Sequence, residues 1–385
     1  MRKVILLRFG EIFLKGKNHS FFERTLLNNI RFITKKYDAK AEKTASRYIV
    51  YDFKESDLDE LVEKLTKVFG IVSLSVAQEV DTDIEQITKI VEQIKIQKDT
   101  FKVEVKRADK RFPMQSFEFA AKMGGVILKH NTTKKVDVHT PQEVVNIDIR
   151  ENGKTYISYQ KIPCVGGMPI GTAGKGMLLL SGGIDSPVAC YQMAKRGLQI
   201  NAIHFHSYPY TSEQAKDKVI SLAKLLTPYV GQINLFIVPF TKIQEQIHKV
   251  CDDEYMVILV RRFMMNIAER VAKQNGCGCL ITGESLAQVA SQTLESITVT
   301  NNAVELLPIF RPLIGMDKTE IMEISKRIGT YETSILPYED CCSVFLPDSP
   351  VTKPKLDRVV RNEQKLDMET LINQAIDNIE VMKIY

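Results

Sequence analysis

The segment that most constrains the fold is 177–187, which reads Met-Leu-Leu-Leu-Ser-Gly-Gly-Ile-Asp-Ser-Pro. The continuous apolar run is that of a strand buried on both faces. Pro187 fits a helix only in its first turn, with Ser186 the expected cap and Gly197 the expected stop. A buried strand that enters a helix through a glycine pair belongs to an α/β sheet. The pattern then recurs, with strand candidates at 200–206, 233–240 and 279–285 separated by helical stretches at 217–226 and from about Glu254 to Gln274. This alternation predicts a doubly wound parallel sheet with helices on both faces, and ligands at the carboxyl ends of its strands.

The Ser181–Ser186 turn stands at such an end. The glycines Gly182 and Gly183 let the backbone turn tightly and approach a ligand closely. The first N–H groups of the following helix form an anion site, and Ser181 and Ser186 add hydroxyls. Asp185 would repel a phosphate, but it makes sense as a holder of Mg²⁺ bridging to phosphates. The chain lacks G-x-x-x-x-G-K-[ST] and G-x-G-x-x-G. A P-loop ATPase, a kinase and a nicotinamide dehydrogenase are therefore not expected.

The first half differs in kind. Residues 1–75 read as a small α+β unit, with Phe22, Leu26, Ile30 and Ile33 on one helix face, and residues 76–166 repeat the mixture. Residues 161–176, rich in Gly and Pro, punctuate the chain, and the main boundary is expected near residue 170. Residues 1–170 carry 30 Lys+Arg against 23 Asp+Glu, and the remainder 22 against 24. The basic excess lies wholly in the first half, which points to a polyanion there. No apolar run approaches the roughly 18 residues of a membrane span. No signal peptide is evident, and seven cysteines are too few for a disulfide framework. Reduced thiols in the cytoplasm are expected.

Several segments together resemble one family, the tRNA 4-thiouridine synthetases. SGGIDS is similar to the pyrophosphate loop of enzymes that split ATP between its α- and β-phosphates. RFGEIFLKGKNHSFFE at 8–23 resembles the start of the family's ferredoxin-like domain, and the segments 100–113, 116–128 and 134–149 resemble its RNA-binding THUMP domain. The segments 169–189, 282–297 and 337–352 resemble three further signatures of the same enzymes. The resemblance implies three domains: ferredoxin-like α+β at 1–75, THUMP at 76–166 and a PP-loop ATP pyrophosphatase at 167–385. It implies that ATP, with Mg²⁺, adenylates the 4-carbonyl oxygen of a uridine at tRNA position eight. A persulfide-derived sulfur then displaces AMP to leave 4-thiouridine. Adenylation turns a poor leaving oxygen into a good one.

The same resemblance implies site residues. ATP contacts fall on Leu179, Leu180, Ser181, Gly182, Gly183, Asp185, Ser186, His204, Phe205, Gly283 and Gln292, and on Arg261 rather than its neighbour Arg262. Sulfur handling falls on Cys342, with Cys341 the competitor, in a loop bounded by Pro337 and Pro347. No protein-bound metal is assigned. Cys277-Gly-Cys279 lacks the usual C-x₂-C zinc spacing, but an iron–sulfur cluster on these two plus Cys341 or Cys342 stays open, as does a metal on His204 and His206. For tRNA, Lys102, Lys106, Arg107, Lys110 and Arg111 are expected to hold the acceptor end, with Arg8, Lys15 and Lys17 extending the surface.

With the sequence ending at Tyr385, the rhodanese domain of some family members is not expected. The expected sulfur source is a cysteine desulfurase or another persulfide donor. The family's link to thiamine synthesis, tied elsewhere to the rhodanese part, stays open. A homodimer is expected, one subunit holding the acceptor end and the other reacting. The competing readings are another ATP pyrophosphatase, such as an amidating synthetase, and an RNA-binding adaptor without catalysis.

Overall fold

The computed structural model describes residues 2–44, 47–339, 341 and 344–385. The chain divides into two compact units, Met1–Pro169 and Ile170–Tyr385.

The first unit is built on one nine-stranded sheet. In its first half the strand Arg2–Phe9 lies between Arg47–Tyr51 and Ile71–Asp81, both antiparallel to it. The helix His19–Thr34 buries Leu26 and Ile30 in a core with Ile5, Leu7, Leu61 and Leu74, and Phe22 and Ile33 flank that core. This is the face its spacing predicts. In the second half Thr100–Arg107 runs parallel to Glu143–Ile149. There the helix Ser116–His130 buries Phe119, Met123 and Ile127 against Phe101, Val145 and Ile147. A capping box starts that helix: Gln115 and Glu118 each bond the other's backbone N–H. The strand Ile71–Asp81 joins the halves, pairing with Arg2–Phe9 on one edge and Lys154–Ser158 on the other. It runs unbroken through position 75/76.

The second unit holds a six-stranded sheet in the order Ile309–Phe310, Cys279–Ile281, Lys175–Leu179, Gln199–His206, Ile233–Pro239, Glu380–Ile384. The first five are mutually parallel. The sixth, absent from the strand pattern expected of the sequence, pairs antiparallel at the edge. The chain starts in the middle at Lys175–Leu179, adds two strands on one side, then crosses to Cys279–Ile281 on the other. That reversal makes a switch point at the carboxyl end of Lys175–Leu179, where a crevice must open. The helix Met256–Gln274 is buried along most of its length, with Leu259, Phe263, Ile267 and Val271 in the core and the charged Arg262 and Glu269 buried beside them.

Candidate nucleotide and sulfur site

The Ser181–Ser186 turn leaves the central strand at the switch point. Its helix begins at Asp185, with Ile184 in the capping position. Ser186 is therefore not the cap expected of it. Its hydroxyl instead closes the turn, accepting from Ser181 N at 3.0 Å and donating to Ser181 O at 3.2 Å. The turn is thus fixed by its own serines, and its helix N–H groups remain directed at a ligand.

Gly283 lies two residues past the end of the neighbouring strand Cys279–Ile281. A Cβ there would lie 2.8 Å from Ser186 N and 2.9 Å from Asp185 C. Only glycine lets this strand exit pack against the start of the helix. Gly283→Ala is expected to displace the turn and weaken ATP binding by roughly tenfold or more, as misplacement of a binding element does. Titration with a fluorescent ATP analogue checks this, and unchanged affinity would show that the close approach is not needed.

Above the turn lies a cavity of about 310 Å³. It collects Leu179, Leu180, Ser181, Asp185, Ser186, His204, Phe205, Arg261, Gly283, Gln292 and Cys341. Gly182 borders a second, small cavity that shares His204, Phe205 and Cys341 with the first, while Gly183 is exposed and lines neither. Its lining combines the apolar Ile203, Met264 and Met265 with the polar turn. This combination suits a flat heterocycle against the apolar side chains and phosphates on the turn. The buried Gln292 Oε1 has no hydrogen-bond partner among the described residues, an acceptor placed for a ligand's N–H.

Asp185 accepts from Lys318 Nζ at 2.7 Å on Oδ1 and from Gln288 Nε2 at 2.8 Å on Oδ2. Lys318 is the first residue of the helix Lys318–Arg327, which Asp317 and Glu320 open with a capping box. Neither Lys318 nor Gln288 is among the site residues that the family resemblance implies. The Asp317–Glu320 pattern would have placed Lys318 at a helix start, though not beside Asp185.

Arg261 bonds Glu284 and, at 3.0 Å, Ser291 Oγ. Glu284 also accepts from Arg311 Nε at 2.7 Å and Thr282 Oγ1 at 2.8 Å. Burial pushes the Glu284 carboxyl up, but the Arg261 and Arg311 guanidiniums outweigh it and hold it below the usual carboxylate range. Arg262 faces away, buried in a two-bond pair with Glu363. Of the adjacent arginines, Arg261 lines the cavity and Arg262 serves the core.

His204 meets Leu180 O at 3.0 Å through Nδ1, and His206 meets Ser212 O at 3.4 Å through Nε2. Each imidazole is engaged by backbone. Among the described residues no three or more His, Cys, Asp or Glu side chains converge as a metal site.

The thiols separate by environment. Burial pushes Cys164 and Cys190 up to about 12 and Cys251 and Cys279 up to about 11, and it raises Cys277 as well. A thiol so raised is a poor nucleophile. Cys277 instead accepts from Asn201 Nδ2 at 3.7 Å. Cys341 is the one described cysteine that lines the cavity. Its carbonyl accepts from Gln244 Nε2 at 2.8 Å. Cys342 lies outside the described residues.

In the first unit the basic residues differ in their freedom. Lys106 and Lys110 are exposed. Lys102 pairs with Glu104 at 2.7 Å, and Arg111 is held by Asp109 through two bonds of 2.9 Å. Arg107 is spent on the backbone carbonyls of Phe112 and Met114. Arg8, half-buried, donates to Ser75 Oγ at 3.0 Å. Lys15 lies over the Phe22 ring, and Lys17 is exposed.

Comparison with known proteins gives concordant results. The family model described as "Thiamine biosynthesis protein (ThiI)" matches residues 171–368. The ThiI ferredoxin-like domain matches 4–75 and the THUMP domain 81–159. A probable tRNA sulfurtransferase of Acetivibrio thermocellus is 52% identical, over 100% of this chain and 99% of its own. One of Alkaliphilus oremlandii is 50% identical over the same shares. A crystal structure of a 4-thiouridine synthetase–RNA complex with bound ATP superposes with a TM-score of 0.92 at 37% identity, covering both chains fully.

Proposed function

The chain belongs to the ThiI family of tRNA sulfurtransferases, and from that premise we propose how its residues divide the work of ATP-dependent uridine thiolation. It is an enzyme that makes 4-thiouridine in tRNA, binding both ATP and tRNA. The observation that carries the division is that the Ser181–Ser186 turn and Cys341 line the same cavity. Nucleotide activation and sulfur delivery need one chamber, because the adenylated base must meet the sulfur before water does.

ATP lies with its adenine toward Leu179, Leu180, Phe205 and Met264, where Gln292 Oε1 accepts from the amino group. Its phosphates rest on the Ser181–Ser186 turn and the helix N-terminus. Lys318 stands beside Asp185, a cation at hand for the charge that grows on the departing pyrophosphate. The carboxylate of Asp185 and the orphaned Gln288 Oε1 are hard oxygen donors that fit Mg²⁺, which keeps several waters and takes the rest of its shell from substrate phosphates. When bound, Mg²⁺ offsets phosphate charge.

The uridine O4 attacks the α-phosphorus, and pyrophosphate leaves. The Cys341 thiolate takes the outer sulfur of a donor persulfide, from a cysteine desulfurase or an equivalent donor, and releases the donor's thiol. That outer sulfur attacks C4, and AMP leaves with the former O4. A second thiol then attacks the Cys341 sulfur, freeing 4-thiouridine and leaving a disulfide. The place of Cys341 in the cavity supports it as a carrier, while Cys342 lies outside the described residues.

The test is incubation with ATP, Mg²⁺, unmodified tRNA and a desulfurase with cysteine. Near-ultraviolet absorbance of 4-thiouridine and pyrophosphate release are expected together. Pyrophosphate without thiolation would point to another ATP pyrophosphatase, and neither product to a non-catalytic RNA binder.

The first unit holds the tRNA, with the exposed Lys106 and Lys110 the leading phosphate contacts. Lys106→Ala and Lys110→Ala are each expected to reduce the slope of log affinity against log salt by about one. Filter binding over a salt series measures it, and an unchanged slope would remove that lysine from the interface. A homodimer, one subunit holding the acceptor end while the other reacts, fits the separation of that end from the target uridine within tRNA. The site of action is the cytoplasm; no helix among the described residues is long and apolar enough to cross a membrane.

A further inference from the structure

Lys218 sits on the helix Glu213–Val230 with only 6% of its surface exposed. Lysine is among the residues least often buried, because its ammonium loses water there. A buried lysine beside an active site therefore asks for a role. Its Nζ donates to Leu336 O at 2.7 Å. The same side chain packs beneath the pyrophosphate loop: a Cβ built on Gly182 would meet its Cδ at 3.4 Å and its Nζ at 3.6 Å. One side chain thus touches both the loop that holds phosphate and the segment that leads to Cys341. Lys218, Gly182, His204 and Cys341 border one small cavity.

The far end of that segment is held too. Gln244, fully buried, donates through Nε2 to Cys341 O at 2.8 Å, and its Oε1 accepts from Ser207 Oγ. Between these two holds, residues 335–339 form neither helix nor strand, and Ile335, Leu336 and Tyr338 are exposed. Lys218 and Gln244 thus hold the backbone at Leu336 and at Cys341, whose side chain is itself buried in the core.

We infer that Lys218 is a positioning residue for sulfur transfer: it ties the Cys341 segment to the pyrophosphate loop, so that the sulfur meets C4 of the adenylated uridine. The inference rests on the reading of Cys341 as sulfur carrier. It assigns Lys218 to the second half of the reaction, acting through Cys341, and not to the cleavage of ATP.

The experiment compares two readouts in the full-length enzyme at saturating ATP and tRNA. One is pyrophosphate release with no sulfur donor; the other is 4-thiouridine formation with a desulfurase and cysteine. Lys218→Met keeps the side-chain length and loses the donor. It is expected to slow thiolation by at least roughly tenfold, the scale of cost for a misplaced reacting group, while pyrophosphate release stays within about threefold. Lys218→Arg, which keeps a cationic donor, is expected to recover most of the thiolation. Equal loss of both readouts, no loss of thiolation, or an arginine variant no better than methionine would overturn the inference. If Lys218→Met shows no cooperative thermal transition, Gln244→Met takes its place and must show the same split, an equal loss again overturning the inference. A wild-type enzyme that released pyrophosphate but never thiolated tRNA would instead overturn the reading of function.

Discussion

Cys341→Ala is expected to lower 4-thiouridine formation by roughly a thousandfold or more, the scale of loss when a covalent nucleophile is removed. Pyrophosphate release in the presence of tRNA should fall far less, because the Ser181–Ser186 turn, Asp185 and Lys318 remain in place. The two half-reactions separate because they use different residues of one cavity. Cys341 lines that cavity without touching the bonds that shape the turn. Rapid-quench assays of pyrophosphate and of 4-thiouridine on the same sample check this. Cys342→Ala, run beside it, decides between the neighbours: if it alone abolished thiolation, the carrier would be Cys342. The other five cysteines serve as controls. Desolvation pushes their thiols up and none of them lines the cavity, so their substitution should cost stability before it costs thiolation.

The parts of this site legible in the sequence are those written in contiguous residues. A buried strand, a glycine pair and a proline-started helix can be arranged in few ways, and the crevice above Ser181–Ser186 follows from the strand order. Residues at neighbouring strand ends, such as His204 and Gly283, could be placed for the same reason. What the sequence concealed is long-range. Lys318 and Gln288 reach Asp185 across 133 and 103 residues, and no local period connects them. Ser186 looked like a cap because serine before a helix usually is one. Here the helix starts two residues earlier, at Asp185, and the hydroxyl closes the turn.

Net charge reveals less than the partners of each cation. The basic excess of the first half was visible, but not which cations are free. Arg107 and Arg111 read like phosphate ligands until their carbonyl and carboxylate partners are seen. Adjacent residues on a helix point about 100° apart. Arg261 and Arg262 therefore had to serve different surroundings, but only the packing of Glu363 and Glu284 shows which faces the cavity. The antiparallel strand Glu380–Ile384 belongs to the same class. Its alternation was too short to stand out, and the exposed edge of Ile233–Pro239 recruits it.

The second large effect falls on Asp185→Asn, expected to slow both pyrophosphate release and thiolation by roughly a hundredfold to a thousandfold, as loss of a charge-stabilising group does. Asparagine keeps the shape of the side chain, and it can still bond Gln288, so folding should be little disturbed. What it loses is the charge that holds Lys318 at 2.7 Å and that suits a divalent cation. Two arms separate these roles. If the carboxylate chiefly holds Mg²⁺, raising Mg²⁺ should recover part of the pyrophosphate release of Asp185→Asn and none of that of Lys318→Met. If it chiefly positions Lys318, the double variant should be no slower than the slower single one, since a broken unit cannot be broken twice. A variant with near wild-type release at ordinary Mg²⁺ would remove Asp185 from the chemistry and leave it a partner of Lys318 alone. The Cys341 and Asp185 variants should then be distinguishable by one assay: the first releases pyrophosphate without thiolating, and the second does neither.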